Sequence, residues 1–249
     1  MEYRGERSRG MATVRTRVGV LDRCVAILRA VEAGHRSFAA IAAATGLTRP
    51  TAHRLLRSLE QHGLVLQADG VGYVLGPGLL GLAAAARADL PLRELARPSL
   101  ERLAAATGES AQLYIRDGDR RICVDAVDSD QELRTIVDVG AALPLTKGSA
   151  GKVLLAWSTK DALTDPLAAH LAAVRRRGWA ESHGERETGV ASISAPVLGP
   201  DGEILAAVSV SAPESRLGPA RVRRAAPAVT RAARDVERAL AGDRDTGDR

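Results

Sequence analysis

The sequence predicts a mixed α+β protein: an N-terminal winged helix-turn-helix, a helical connector, and a larger domain of helices around an antiparallel sheet. Three observations carry this reading. Apolar residues recur every three or four positions through the first 60 residues and alternate after about residue 108; a short hairpin follows the third helical stripe; and the excess positive charge is confined to the first 76 residues.

The first stripe, Val20, Leu21, Cys24, Ile27, Leu28 and Val31, predicts an amphipathic helix that stops near Gly34. A second, Phe38, Ile41, Ala42 and Thr45, ends at Gly46-Leu47. The third opens at Thr48, a good N-cap, with Pro50 in the first turn, and its apolar face is Ala52, Leu55, Leu56 and Leu59. Two helices joined through a glycine turn, the second opening on polar and basic residues, spell a helix-turn-helix. After Gly63, Leu64 to Gln67 and Val71 to Leu75 flank Asp69-Gly70 and predict a β-hairpin, the wing.

Residues 77 to 90 read as a helical connector between Pro77 and Pro91, and Leu92 to Thr107 as the helix that opens the second domain. Segments 109 to 116, 120 to 127 and 132 to 139 are β-rich and joined by Asp-containing turns, a predicted meander. Helices are expected over 149 to 158 and 161 to 177, strands over 189 to 198 and 203 to 211, and a terminal helix of roughly 20 residues from Pro219. The domains are thus 1 to 76, the connector 77 to 90, and 91 to 242; the charged tail 243 to 249 reads as disordered.

Composition narrows the function. No run of about 18 uncharged apolar residues occurs, so no membrane span is expected, and two cysteines, Cys24 and Cys123, make no disulfide framework. A reducing cytoplasm is the expected location. Six aromatic residues serve the whole chain, which argues against base-stacking platforms for single strands. Residues 1 to 76 hold 11 Arg against 6 acidic residues, whereas 77 to 249 hold 24 basic and 24 acidic. A basic module on a neutral one points to a polyanion partner for the first alone. An Arg- and Ala-rich composition also follows from a GC-rich genome, so position rather than count decides.

Position favours the third helix. Arg49, Thr51, His53, Arg54 and Arg57 lie opposite its apolar face, the first of them with Pro50 in the turn that enters a major groove in this motif. Arg15, Arg17 and Arg23 are expected to add phosphate contacts, and Tyr73 in the wing to pack. In the second domain, Gly148-Ser149-Ala150-Gly151-Lys152 opens a helix whose free amides suit an anion, but Thr146 and Val153 depart from a nucleotide-binding P-loop. Lys152 itself reads as exposed. Ser192 and Ser194 share one face of a predicted strand, as do Ser209 and Ser211 on another. On an interior face these hydroxyls would bond each other, water or a ligand; a solvent-facing arrangement stays open. No catalytic or metal-binding constellation and no cofactor site is evident; His183 near Glu185 and Glu187 falls in a predicted loop. A metabolite-responsive regulator, an enzyme and a nonspecific architectural protein are the competing classes.

The motifs IAAATGLTRPTAHRLLRSLEQHGLV, GYVLGPGLLGLA, PLTKGSAGKVLLA, RRRGWAES, GERETGVASISAPV and AAVSVSAPESRL resemble the IclR family of transcriptional regulators, over about Val18 to Ala241. The resemblance implies a GAF-like effector domain with a six-stranded antiparallel sheet, double-stranded operator DNA and a small-molecule effector as partners, and homodimers or dimers of dimers. It also implies effector-pocket residues at Ser149, Ala150, Ser182, Ser192, Ser209 and Ser211. The chain departs from the family where an acidic residue and a cysteine are common, here Ser182 and Ser192. The wording of TRPTAHRL, GESAQLY and RRRGWAES is similar to an actinobacterial branch acting on amino-acid biosynthesis, leucine genes among them.

Overall fold

The computed structural model describes residues 19–88, 91–158 and 165–246, and the chain divides into two compact units after Asp89. Arg15 and Arg17 lie outside the described residues.

The first unit contains α1 (Gly19–Glu32), α2 (Phe38–Thr45), α3 (Arg49–Gln61), the hairpin β1 (Val65–Ala68) and β2 (Gly72–Leu75), and α4 (Gly78–Ala88). Ser37 caps α2 by accepting the Ala40 amide at 3.1 Å, and Gly46 at φ 65° ends it. At the start of α3, Thr48 is extended as a cap requires, yet its hydroxyl donates to Thr51 Oγ1 at 2.9 Å rather than accepting a backbone amide. Ile27, Val31, Ile41, Leu55, Leu56, Leu59 and Val65 close the core. The stripe on α1 is only half used: Val20 and Leu21 stay more than half exposed. The eight residues of α2 span about 12 Å, too short to cover both ends of α1.

The wing is fastened to the turn after α1. Tyr73 donates its amide to Arg36 O at 2.8 Å, and Arg36 returns a bond to Tyr73 O at 3.3 Å. Gly72 sits at φ +92°, and a Cβ there would lie 2.4 Å from Arg36 O, so glycine is required on both counts.

The second unit runs α5 (Pro91–Thr107), β3 (Ser110–Asp117), β4 (Arg120–Val127), β5 (Ala142–Pro144), α6 (Ser149–Ala156), α7 (Asp165–Arg177), β6 (Ala180–His183), β7 (Val190–Leu198), β8 (Ile204–Pro213) and α8 (Pro219–Thr246). Six antiparallel strands form one sheet in the order β5-β4-β3-β8-β7-β6. Three expectations need correction. Residues 132 to 139 form no strand: Leu133 and Ile136 are exposed, Val137 touches β4 through the Cys123 thiol, and backbone bonds to Cys123 come only from Gly140 and Ala141 beyond the segment. The edge strand is β5 instead. β6, four residues without a β-branched side chain, escaped the periodicity. Finally, α8 continues through Thr246 and takes in residues 243–246 of the expected tail, because polar residues do not stop a helix that is already propagating.

Strand alternation gives the sheet two unlike faces. Leu113, Ile193, Ala195, Val208 and Val210 pack with Leu100 and Leu103 of α5 and Val222, Val229 and Val236 of α8 in one apolar layer. The other face meets α6 and α7 and carries hydroxyls in register. Ser182 pairs with Ser192, which pairs with Ser211, which pairs with Ser110; in the next row Ser194 pairs with Ser209, which pairs with Gln112. A bulge opposite Leu113 and Tyr114 turns Asp125 toward α5, where Arg93 and Arg97 reach it at 3.4 and 3.2 Å.

Candidate functional site

Two separate sites emerge, one in each unit. On α3 the apolar positions Ala52, Leu55, Leu56 and Leu59 are buried, so Arg49, Pro50, His53, Arg54 and Arg57 are held outward and Thr51 is partly exposed. Phe38 of α2 organises the first turn: Arg49 stacks over its ring at 5.7 Å and His53 meets its edge at 6.3 Å. The result is a rigid helix with a cationic, hydrogen-bonding surface at its N-terminal end. Arg23 on α1 is also exposed.

In the second unit the N-terminus of α6 points at the serine-bearing face. Ser149 donates to Ser192 Oγ at 2.7 Å and lies 2.7 Å from Ser194 Oγ; Ser194 donates to Ser209 at 2.9 Å, and Ser209 to Ile193 O at 3.3 Å. Since each hydroxyl carries one proton, Ser192, which accepts from Ser149, keeps its own O–H uncommitted. Ser211 donates to Gln112 Oε1 at 3.1 Å. A small cavity of about 30 Å³ is lined by Ser149, Ala150, Ser182, Ser192, Ser209 and Ser211, together with Tyr114, Arg121 and Arg186. All six effector positions expected from the sequence and the resemblance therefore meet at one place, and the serines occupy the interior face, not the solvent face. Ser194 is fully buried beneath them.

Gly151 lets α6 come this close, since a Cβ there would lie 2.0 Å from Leu145 O. Arg121, only 3% exposed, lies under the same helix start, donates to Pro144 O and Lys147 O, and stacks 5.4 Å over the Tyr114 ring. Burial pulls its pKa down. The same burial pushes the Tyr114 hydroxyl far up and the Cys123 thiol to about 12, so both neighbours of Arg121 are neutral.

The IclR helix-turn-helix domain matches residues 20–69, and the bacterial transcriptional regulator IclR C-terminal domain matches 84–170 and 162–238. The chain belongs to the IclR family. It is 32% identical over 255 residues to the HTH-type transcriptional regulator BhcR of Paracoccus denitrificans, covering 93% of this chain and 91% of that one. It is also 32% identical to the glycerol operon regulatory protein of Streptomyces coelicolor, over 91% of this chain and 96% of the relative. A solved transcriptional regulator of Rhodococcus sp. RHA1 superposes with a TM-score of 0.71 at 30% identity, covering 90% and 99% of the two chains. The protein is thus an IclR-type DNA-binding transcriptional regulator, and its relatives are regulators rather than enzymes.

In this IclR-family chain Lys152 is not the exposed residue expected. Its side chain is 15% exposed, and its ammonium pairs with Glu185 and donates to Glu181 O at 2.9 Å. Glu185 also accepts the Gly148 amide at 3.2 Å. Burial pushes the Glu185 carboxyl up, but the Lys152 bond and charge and the Gly148 amide outweigh it and hold the pKa below its ordinary value. The acidic residue expected in a loop is therefore a brace between the β6–β7 turn and α6.

Sequence reasoning passed over Tyr114, Arg121 and Arg186. The available signal for the first two was alternation: Arg121 and Cys123 share a face of β4 with Tyr114 opposite Cys123. A larger groove, about 930 Å³, runs along α8 past Trp179 and Arg231. It is open to solvent, and none of the unpartnered buried polar atoms among the described residues lies in its wall. Among the described residues no group of His, Cys, Asp or Glu could hold a metal, and no helix is long and apolar enough to cross a membrane.

Proposed function

We propose that this regulator reads double-stranded operator DNA with Arg49, Pro50, Thr51, His53, Arg54 and Arg57, and that a small metabolite, a carboxylate or an amino-acid-related compound, held by Ser149, Ala150, Ser182, Ser192, Ser209 and Ser211 controls it. In this reading residues 1 to 76 are the DNA-binding domain, 77 to 90 the connector and 91 to 242 the effector domain. The observation that carries the effector assignment is the Ser149–Ser192 bond: it sets the start of α6, whose Ser149 amide also reaches Ser192 Oγ at 3.5 Å, beside a hydroxyl that donates to no protein group, an arrangement that suits an oxyanion.

The working unit is a homodimer or a dimer of dimers, since a two-fold pair of winged helices matches two half-sites on one face of DNA. Exposed Val20, Leu21, Leu80 and Leu82 of α1 and α4 support an assembly through the N-terminal unit. Effector binding shifts the population of dimers whose two α3 helices fit the half-site spacing.

Two regulons compete. Control of amino-acid metabolism, leucine genes included, rests on the wording of TRPTAHRL, GESAQLY and RRRGWAES. Local repression of a catabolic operon draws on the similarity to the glycerol operon regulatory protein of Streptomyces coelicolor. Titrating the full chain against its own upstream duplex and a random duplex, at two salt concentrations, tests the DNA reading: a preference for the former is expected, and equal affinity overturns it. A footprint that maps to an amino-acid gene or to a neighbouring catabolic operon separates the regulons.

A further inference from the structure

The charges around the serine cavity do not balance. Arg121 is a permanently cationic side chain, 97% removed from solvent, with its Nε unpartnered. Its guanidinium presses against Gly148 and Gly151, with Nη2 and Nη1 3.0 and 3.2 Å from where a Cβ would stand on each. That is the start of α6, the positive end of the helix dipole, where an anion is stabilised and a cation is not. Arg186 lines the same cavity from the β6–β7 turn but pairs with the largely exposed Glu187 at 3.7 Å, so Arg121 is the cation left without a carboxylate. Glu185, the nearest carboxylate in that turn, is committed to Lys152 and the Gly148 amide. No carboxylate among the described residues forms an ion pair with Arg121. A buried cation so placed calls for a counter-charge from outside the chain.

We propose that the effector is a compact dianion: one carboxylate sits on the α6 amides and the Ser192 hydroxyl, and a second acidic group faces Arg121 and Arg186. This rests on the effector-pocket reading above and adds the ligand's charge and size. At about 30 Å³ the cavity has room for only about one or two waters as it stands, so it must open to admit even a short dianion and is far below the ~300–1,000 Å³ of drug-sized sites. A guanidinium fork matches a carboxylate and a phosphate alike, so the second group is either.

Calorimetric titration of the full chain with propionate, malonate, succinate and phosphonoacetate tests this. Malonate, succinate or phosphonoacetate is expected to bind at least about tenfold tighter than propionate, as charge-assisted bonds predict; which of them wins identifies the second group. In Arg121→Met, and separately in Arg186→Gln should the first variant not fold, the ratio of dianion to propionate affinity is expected to fall toward one. Equal affinity for propionate and the dianions in the wild type overturns the dianion proposal and leaves the carboxylate pocket standing. Binding of none of the four acids overturns both.

Discussion

The Oγ of Ser149, the first residue of α6, lies 2.7 Å from the Oγ of Ser192 in β7. This one contact joins a helix start to β7, the strand beside the β6 edge, and closes the serine cavity on the polar face of that sheet. Ser149 also touches Ser194, so it is the branch point of the buried hydroxyl chain that ends at Ile193 O.

Ser149→Ala is therefore expected to destabilise the second unit by about 1–3 kcal/mol, because it strands buried hydroxyls. Urea unfolding followed by circular dichroism measures this, and carboxylate affinity should fall in the same variant. An unchanged midpoint would show that the chain tolerates the gap.

Arg54→Ala should weaken binding to the upstream duplex by about tenfold or more, with effector affinity unchanged, since the two sites share no residue. Fluorescence anisotropy at several salt concentrations distinguishes its role: a slope reduced by about one marks a phosphate contact, and relaxed sequence preference marks a base contact.

Gly72→Ala tests the wing. The added methyl would overlap Arg36 O and force a left-handed backbone on a side-chain-bearing residue, a strain of about 1–3 kcal/mol or more. Loss of operator affinity with retained effector binding is the expected result. Wild-type DNA affinity would mean that the wing is not held at Arg36 in solution.

Stability should fall at both ends of the pH range. The Glu185 carboxyl is held below its ordinary 4.5, so the folded state gains stability above that value and loses it as the pH drops through the depressed one. The Cys123 thiol is pushed from 9.0 to about 12, so its contribution is complete below pH 9 and disappears as the pH rises from there to 12. Urea midpoints against pH should be flat between these limits; Glu185→Gln should flatten the acid limb and Cys123→Ala the alkaline one.

Much of this was legible in the sequence because two periods were clean. The three- and four-residue spacing of Leu55, Leu56 and Leu59 set which side of α3 faces outward, and the two-residue spacing of Ser192, Ser194, Ser209 and Ser211 put their hydroxyls on common faces. Alternation misled at 132 to 139, because a strand also needs a neighbour to pair with, and the backbone bonds this stretch of chain makes to β4 begin only at Gly140. Arg121 stayed hidden for a related reason. Its position under α6 depends on a sheet bulge and on a loop returning from 144 to 147, neither of which leaves a local mark.

The two-faced sheet has an evolutionary consequence. Along β7 and β8, neighbouring residues answer to different demands: Ile193, Val208 and Val210 hold the domain together, while Ser192, Ser209 and Ser211 line the cavity. The cavity's chemistry can therefore be rewritten one side chain at a time without touching the layer that keeps the protein folded.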